Sequence, residues 1–273
     1  MVNVFLSYSH RDEELKNQLG VHLGILARER LIEPWHDRRI GAGQDVHGAI
    51  SESLEAADLV LLLVSPDFLA SDYCFEIEMK RALARQQSGS ARVIPVILRP
   101  CDWHRFPFGH LRPTPQDGMP VSKFADRDEA FLQVSRDIRG AAEEIRASRD
   151  LVKFSRTSFN IIATIFETEM IKLGRSKRHQ ADFSKLGEDT LQAQYTDELG
   201  ERRSCTVWRT PQGEILFCPG LTPRAERATE AFSISEDPFG LPILHSRSGK
   251  ELLALFAAGH LWTLFTGRVV NVV

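Results

Sequence analysis

Glu78 is the strongest candidate for a residue that takes part in chemistry. It lies in residues 70–86, a segment whose apolar spacing predicts a helix. On that helix Glu78 shares a stripe with the small residues Cys74 and Ala82, which leaves room for its carboxylate to point into a cavity. A carboxylate in a cavity can stabilise a developing positive charge or position a nucleophile. An exposed ion pair with Arg81, three residues further on, is the alternative for Glu78.

A second set of charges lies on the same predicted helix. Asp72, Glu76 and Lys80 follow one another at intervals of four residues, so their charges compensate along one face. That arrangement is typical of a surface exposed to solvent. We therefore expect Glu78 to be the essential acid and Glu76 to have a structural role. The alternatives are that Glu76 is the essential acid, or that neither residue is.

Polar and aromatic side chains also lie where short apolar runs end. In open α/β sheets ligands bind beyond the carboxyl ends of the strands, so these residues are candidates for ligand contact. They are Ser7, Tyr8 and Ser9 at the end of the first run, Trp35, Asp37 and Arg38 at the end of the second, and Ser65 at the end of the third. The planar guanidinium of Arg38 suits phosphate oxygens. A turn exposed to solvent is the alternative for Arg38.

The elements that position these residues alternate as strand and helix through the first half of the chain, which predicts a parallel sheet wrapped by helices. The expected strands are 4–8, 31–35, 59–64, 93–98 and a short strand at Val121. Residues 59–64 are apolar on both faces, as in a central parallel strand. Pro95 places the fourth strand at a sheet edge or a bulge. The expected fold class is α/β, with a flavodoxin-like parallel five-stranded sheet in residues 1–147.

A smaller α+β domain is expected in residues 148–273. Its predicted elements are a helix over 154–171, a basic break at 174–179, a helix through Leu191, a β-hairpin made by 203–209 and 214–218, a buried helix and strand within 252–265, and further strand over 261–273. The apolar part of this region is too short to span a membrane. Its size allows a ligand sensor or an oligomerisation platform, and both are kept open.

Composition narrows the function classes. The formal net charge of -3 argues against a nucleic-acid binder that works through a strong basic field. The four cysteines have no CxxC or CxH spacing, which indicates neither a zinc site nor a disulfide scaffold. Free thiols and an N-terminus without signal-peptide character predict a cytoplasmic protein. No GxGxxG follows the first strand, which disfavours a Rossmann-type hydride-transfer enzyme.

Three stretches, in this order, resemble the Toll/interleukin-1 receptor (TIR) domains of prokaryotes. They are VFLSYSHRD at 4–12, WHDRRIGAG at 35–43, and SPDFLASDYC at 65–74 followed by Glu76 and Glu78. The tripeptide 101–103, Cys-Asp-Trp, is common in bacterial relatives. The resemblance covers about residues 1–147.

This family divides into enzymes that cleave NAD+ at the nicotinamide glycosidic bond and adaptors that only assemble. The resemblance implies an NAD+ hydrolase, with NAD+ as substrate and no other cofactor, in which Glu78 is the catalytic glutamate. Hydrolysis and a cyclic ADP-ribose product are both open. The family more often places its glutamate four residues after the aromatic residue, so five residues from Tyr73 to Glu78 imply a one-residue offset or a helix bulge.

The resemblance also implies which residues contact NAD+. The expected set is Phe5, Ser7, Tyr8, Ser9, Asp37, Arg38, Ser65 and Tyr73, with 37–45 as a loop that covers the dinucleotide. A place in the apolar core is the alternative for Phe5.

At the level of the whole protein, the resemblance implies an effector of bacterial anti-phage defence that depletes NAD+ and is activated by homo-oligomerisation through TIR–TIR contacts. A nucleotide activator at the C-terminal domain is a further expected partner. The alternative is a non-enzymatic TIR scaffold that signals by assembly. A TIR enzyme that acts on nucleic acid or makes cyclic nucleotides is a second alternative, which the acidic charge balance disfavours.

Overall fold

The computed structural model describes residues 1–34, 46–71, 74–175 and 180–269. The chain forms two compact units, Met1–Ala147 and Ser148–Val273, which are called the N-terminal and C-terminal units below. One long helix supplies residues to both. Each unit has an apolar core of its own.

The N-terminal unit contains a parallel sheet. Its four described strands are β1 (Val2–Ser7), β2 (Ile32–Pro34), β3 (Leu59–Val64) and β4 (Arg92–Ile97), in the spatial order β2-β1-β3-β4. All six residues of β3 are fully buried, as its uniformly apolar sequence predicts. Pro95 lies on β4, the edge strand, where a missing N–H is tolerated.

Helices cover both faces of this sheet. They are α1 (Glu13–Arg28), α2 (Val46–Ala56), the short α3 (Pro66–Leu69), a π-helical segment (Cys74–Met79) that leads into α4 (Lys80–Gln87), and α5 (Arg127–Gly174). One apolar cluster joins Leu19 of α1 and Phe131 of α5 to the strands, and another contains Phe5 of β1 and Met79. The layered arrangement confirms the expected α/β class.

The fifth strand expected at Val121 is wrong. Val121 is buried, but it begins a 3-10 turn (Val121–Lys123), and beyond β4 a single described residue, Thr114, forms a β-bridge to that strand. Pro113, Pro115 and Pro120 have no N–H to donate, so this connection cannot extend a strand ladder. The described part of the sheet therefore has four strands.

The described residues of the C-terminal unit form an antiparallel meander of seven strands with helices on one face. The strands are β5 (Gln180–Lys185), β6 (Thr190–Thr196), β7 (Arg202–Arg209), β8 (Ile215–Pro219), β9 (Glu230–Glu236), β10 (Pro242–Ser246) and β11 (Glu251–Leu252). Side chains from the last part of α5, such as Phe166, and from α6 (Ala254–Thr266), such as Trp262, pack on the sheet. The hairpin of β7 and β8 and the α+β class are confirmed.

Three local predictions for the second half of the chain are wrong. The helix expected through Leu191 is instead the strand pair β5–β6, since Leu191, Ala193 and Tyr195 are buried with a period of two. The strand expected from residue 261 is the last part of α6, which ends where Gly267 adopts a φ of 73°. The helices expected on either side of residue 148 are one helix, α5, because neither glycine nor proline interrupts residues 141–173.

Candidate active site

The site is built around a contact between Ser7, the last residue of β1, and Glu78 in the π-helical segment. Ser7 is fully buried and the Glu78 residue exposes 6% of its surface. The Ser7 hydroxyl donates a hydrogen bond to Oε2 of Glu78. Residues far apart in sequence therefore meet at the carboxyl end of β1, where ligands of α/β sheets bind.

The π-helical segment decides which residue faces inward. A π-helical turn accommodates one residue more than an α-helical turn, and such turns are frequent at functional sites. Ile77, which is four residues after Tyr73, is 54% exposed, whereas Glu78 and Met79 are buried. The five-residue spacing from Tyr73 to Glu78 was explained above by either a one-residue offset or a helix bulge, and the π-helical segment is such a bulge.

Arg81 does not neutralise Glu78. Its guanidinium donates to both carboxylate oxygens of Glu55 on α2, with Nη2 2.7 Å from Oε2. The ion pair between Glu78 and Arg81 that the sequence allows is therefore replaced by one with Glu55. Met79 and Ala82, close to Glu78 on the same helix, are buried in the apolar core.

This environment changes the acidity of Glu78. Burial raises its pKa from 4.5 to about 7, because an ionised carboxylate loses hydration inside the protein. The hydrogen bond from Ser7 acts in the opposite direction and lowers the pKa. Near neutral pH both the acid and the carboxylate are therefore populated, which is a common property of residues that do chemistry.

A second buried polar network joins the ends of neighbouring strands. Asp12 is 2% exposed and accepts hydrogen bonds from Ser65, which follows β3, and from Nε of Arg99 at 2.8 Å. Arg99, which lies just beyond β4, also donates to Asp67. Arg99 and Asp67 are not among the residues predicted from the sequence, although the rule of strand carboxyl ends applies to Arg99. The network holds the edge of the sheet that carries Ser7.

Comparison with known proteins decides the family of this unit. A family model described as "TIR domain" matches residues 4–134. Residues 4–134 form a TIR domain. The C-terminal unit lies outside this match.

Two similar proteins accompany the family match. A protein of Sinorhizobium fredii named "Uncharacterized protein y4lF" is 56% identical over 145 residues, which are 53% of this chain and 45% of that protein. The chain therefore spans less than half the length of this relative. The crystal structure of the TIR domain of the Toll-related receptor TRR-2 from Hydra magnipapillata is 22% identical, with a TM-score of 0.38, and covers 50% of this chain and 97% of that one.

The TIR domain brings together part of the predicted site. Ser7 contacts Glu78, whereas Ser65 contacts Asp12 and accepts a hydrogen bond from the N–H of Phe68 at 3.0 Å, which caps α3. Phe5 is 1% exposed and packs in the apolar core, which is the alternative given for it above.

Tyr8 and Ser9 lie just beyond β1 and are half-buried. The Tyr8 ring contacts Lys16, whose Nζ is 4.9 Å from the ring centroid, and the His10 ring at 5.7 Å. Ser9 caps the 3-10 turn His10–Asp12 by accepting a hydrogen bond from the N–H of Arg11 at 3.4 Å. These contacts fix the chain immediately after Ser7.

Three further predicted site residues, Asp37, Arg38 and Tyr73, lie outside the described residues, as does the loop 37–45. The side chain of Glu76 is also outside the described set. Within the described residues, no three His, Cys, Asp or Glu side chains are grouped as they would be to hold a metal ion. No described helix is both long enough and apolar enough to cross a membrane.

Proposed function

We propose that the TIR domain is an NAD+ glycohydrolase in which Glu78 is the catalytic carboxylate. The observation that carries the proposal is the burial of Glu78 at the carboxyl end of β1, where it accepts a hydrogen bond from Ser7. Its pKa is raised to about 7 there. No basic side chain among the described residues pairs with Glu78. A buried acid without a cationic partner destabilises the folded state, so its presence favours a catalytic role over a structural one.

The reaction requires one acid. The bond between C1′ of the ribose and N1 of nicotinamide breaks, and its electron pair leaves with the ring nitrogen, so the cationic ring departs as neutral nicotinamide. The ribose then carries oxocarbenium character, which the ionised Glu78 carboxylate stabilises. Addition of water to C1′, with release of a proton, gives ADP-ribose, whereas attack by an adenine nitrogen gives cyclic ADP-ribose.

The other residues of the site have two proposed roles: some contact NAD+, and others position Glu78 and the strand ends. Tyr8 and Ser9, half-buried at the end of β1, are the proposed contacts to the nicotinamide ribose, and Asp37, Arg38 and Tyr73 stay proposed contacts. Arg38 would bind the pyrophosphate through its planar guanidinium. The buried Ser7 and Ser65 are better suited to positioning Glu78 and the strand ends than to touching NAD+.

Activation and biological role form the wider part of the proposal. TIR domains commonly self-associate, so we propose a homo-oligomer in which TIR–TIR contacts complete the site. The protein would act in the cytoplasm, where NAD+ is available, as an effector of anti-phage defence that depletes the cofactor. A nucleotide activator would bind the C-terminal unit.

The test is nicotinamide release from NAD+ by the purified full chain, at high concentration and with a crowding agent to favour assembly. The variants are Glu78→Gln and the matched control Glu76→Gln, on the same segment. We expect Glu78→Gln to lose roughly 100-fold or more in rate, with unchanged circular dichroism, and Glu76→Gln to keep the wild-type rate. Full activity in folded Glu78→Gln would overturn the proposed role of Glu78.

The scaffold is the second candidate, and one observation favours it. Val21 and Ile25, one turn apart on α1, are both exposed apolar side chains, and such surfaces often mark contacts between proteins. In a scaffold, Val21→Lys would abolish self-association measured by light scattering, while Glu78→Gln would leave signalling unchanged. A wild-type protein that assembles but releases no nicotinamide would favour this candidate over the enzyme.

A further inference from the structure

The C-terminal unit contains a cavity of about 560 Å³ between the β10–β11 hairpin and α6. Its volume lies within the range of small-molecule sites in proteins. Polar side chains on its wall include Ser246, Ser248, Lys250 and His260, and apolar ones include Leu252 and Phe256. A lining with both polar and apolar side chains suits a ligand that has both kinds of surface.

His260 is held in place by a buried acid. Glu230 is buried, and its Oε1 accepts hydrogen bonds from the backbone N–H groups of Ala231 and Arg247 at 2.9 and 3.0 Å. Its Oε2 lies 2.8 Å from Nε2 of His260. Burial raises the pKa of Glu230, but these hydrogen bonds outweigh it and the pKa is lowered, so Glu230 is ionised and Nε2 is the donor.

The hydroxyls of the cavity are also ordered. Ser246 Oγ accepts a hydrogen bond from the N–H of Lys250 at 3.0 Å and lies 2.9 Å from Ser248 Oγ. These contacts fix the turn between β10 and β11 and set two hydroxyls beside each other on the cavity wall. Neighbouring hydroxyls of this kind can bind the hydroxyls of a sugar.

Besides these hydroxyls, the cavity has a cationic side chain, Lys250, and an aromatic ring, Phe256. The Lys250 side chain is exposed, and among the described residues no acid pairs with its ammonium group. Phe256 on α6 presents an exposed ring to the same cavity. An exposed ring is a surface on which a flat heterocycle can stack, and a lysine is a binder of phosphate.

We propose that this cavity binds a nucleoside monophosphate. Phe256 stacks on the base, Ser246 and Ser248 contact the ribose, and Lys250 binds the phosphate. Glu251 also lines the cavity, and its carboxylate limits the negative charge that the site accepts, so a monophosphate fits better than a triphosphate. Binding stands independently of NAD+ cleavage, whereas a role as the activator site rests on the proposed function.

The test is isothermal titration of the full chain with AMP as the probe, with adenosine, inorganic phosphate and ATP as comparisons. The variants are Lys250→Met and Phe256→Ala. Their controls are Lys153→Met and Phe239→Ala, which change exposed residues of the same unit that do not line the cavity. We expect one AMP per chain, bound more tightly than the three comparison ligands, and about a tenfold loss of affinity in each cavity variant.

Two results would overturn the binding site. One is no AMP binding up to about 1 mM. The other is AMP binding that neither cavity variant weakens, which would place the nucleotide elsewhere in the chain. Nicotinamide release measured with and without AMP then tests regulation separately, because an unchanged rate removes the activator role and leaves the measured affinity intact.

Discussion

Replacement of Glu78 by glutamine is expected to stabilise the N-terminal unit at neutral and alkaline pH. Burial raises the pKa of Glu78 from 4.5 to about 7, so the folded state binds the proton more tightly than the unfolded state. Ionisation of Glu78 has no effect on stability below pH 4.5, because Glu78 is protonated there in both the folded and the unfolded state. As the pH rises from 4.5 to about 7, the folded state loses stability relative to the unfolded state.

The magnitude follows from these two pKa values. At about 1.36 kcal/mol per pH unit, their difference corresponds to a loss of about 3 kcal/mol above pH 7, and of about 1 kcal/mol near pH 5. Glutamine is uncharged at every pH and keeps an oxygen that can accept the hydrogen bond from Ser7. The advantage of Glu78→Gln in free energy of unfolding is therefore expected to grow by about 2 kcal/mol between pH 5 and pH 8.

The measurement is urea unfolding of the full chain at these two pH values, read by pulsed hydrogen exchange of the peptide that contains β3. Because β3 is fully buried, its amides report the unfolding of the N-terminal unit separately from the C-terminal unit. Glu52→Gln, an exposed position on α2, is the control and should show no such trend. A stability difference that does not change with pH would refute the reasoning about Glu78.

Three further predictions follow from the described contacts. The kcat/KM for nicotinamide release is expected to rise as the pH passes about 7. The hydrogen bond from Ser7 lowers the pKa of Glu78, so its removal in Ser7→Ala should raise that pKa and move the rise in kcat/KM to higher pH. An unchanged pH profile in Ser7→Ala would contradict this role of Ser7. Arg99→Met leaves the buried Asp12 carboxylate without its cation and should destabilise the N-terminal unit by about 2 kcal/mol, below the usual cost because Arg99 is 34% exposed to water; urea unfolding read at β3 checks it. Phe166→Ala removes a fully buried ring and should destabilise the C-terminal unit by about 3 to 5 kcal/mol, measured by urea unfolding with exchange read at a β7 peptide.

The sequence predicts those parts of the fold that local periodicity encodes. The fully apolar β3 and the hairpin of β7 and β8 have patterns that one kind of element explains, and both are present. Val121 has no such pattern around it, and the prolines of its connection decide its structure instead. The region around Leu191 has a period of two that competes with a helical interpretation of its flanking residues, and the strand pairing prevails.

The candidate site is less predictable because its contacts join distant parts of the chain. The rule of strand carboxyl ends predicts that Ser7 lies beside a site, and the small neighbours of Glu78 predict that its carboxylate points inward. The structure shows the two side chains joined by a hydrogen bond. The partner of Arg81 lies on α2, and the cation that binds Asp12 follows β4. Neither pairing has a local signature, so both depend on the packing of helices and strands that the sequence pattern does not specify.

The burial of Glu78 also suits the charge of the proposed substrate. The nicotinamide ring of NAD+ carries a positive charge, and a cation that approaches a buried carboxyl group lowers its pKa, because the ionised form gains an attraction that water does not screen. A Glu78 poised near pH 7 would thus lose its proton as the substrate binds, and the carboxylate would be present when positive charge develops on the ribose. An exposed glutamate would be ionised already, but hydration would weaken its field at the reacting carbon. Burial therefore makes the carboxylate costly in the empty protein and effective in the complex, which is the differential effect that catalysis requires.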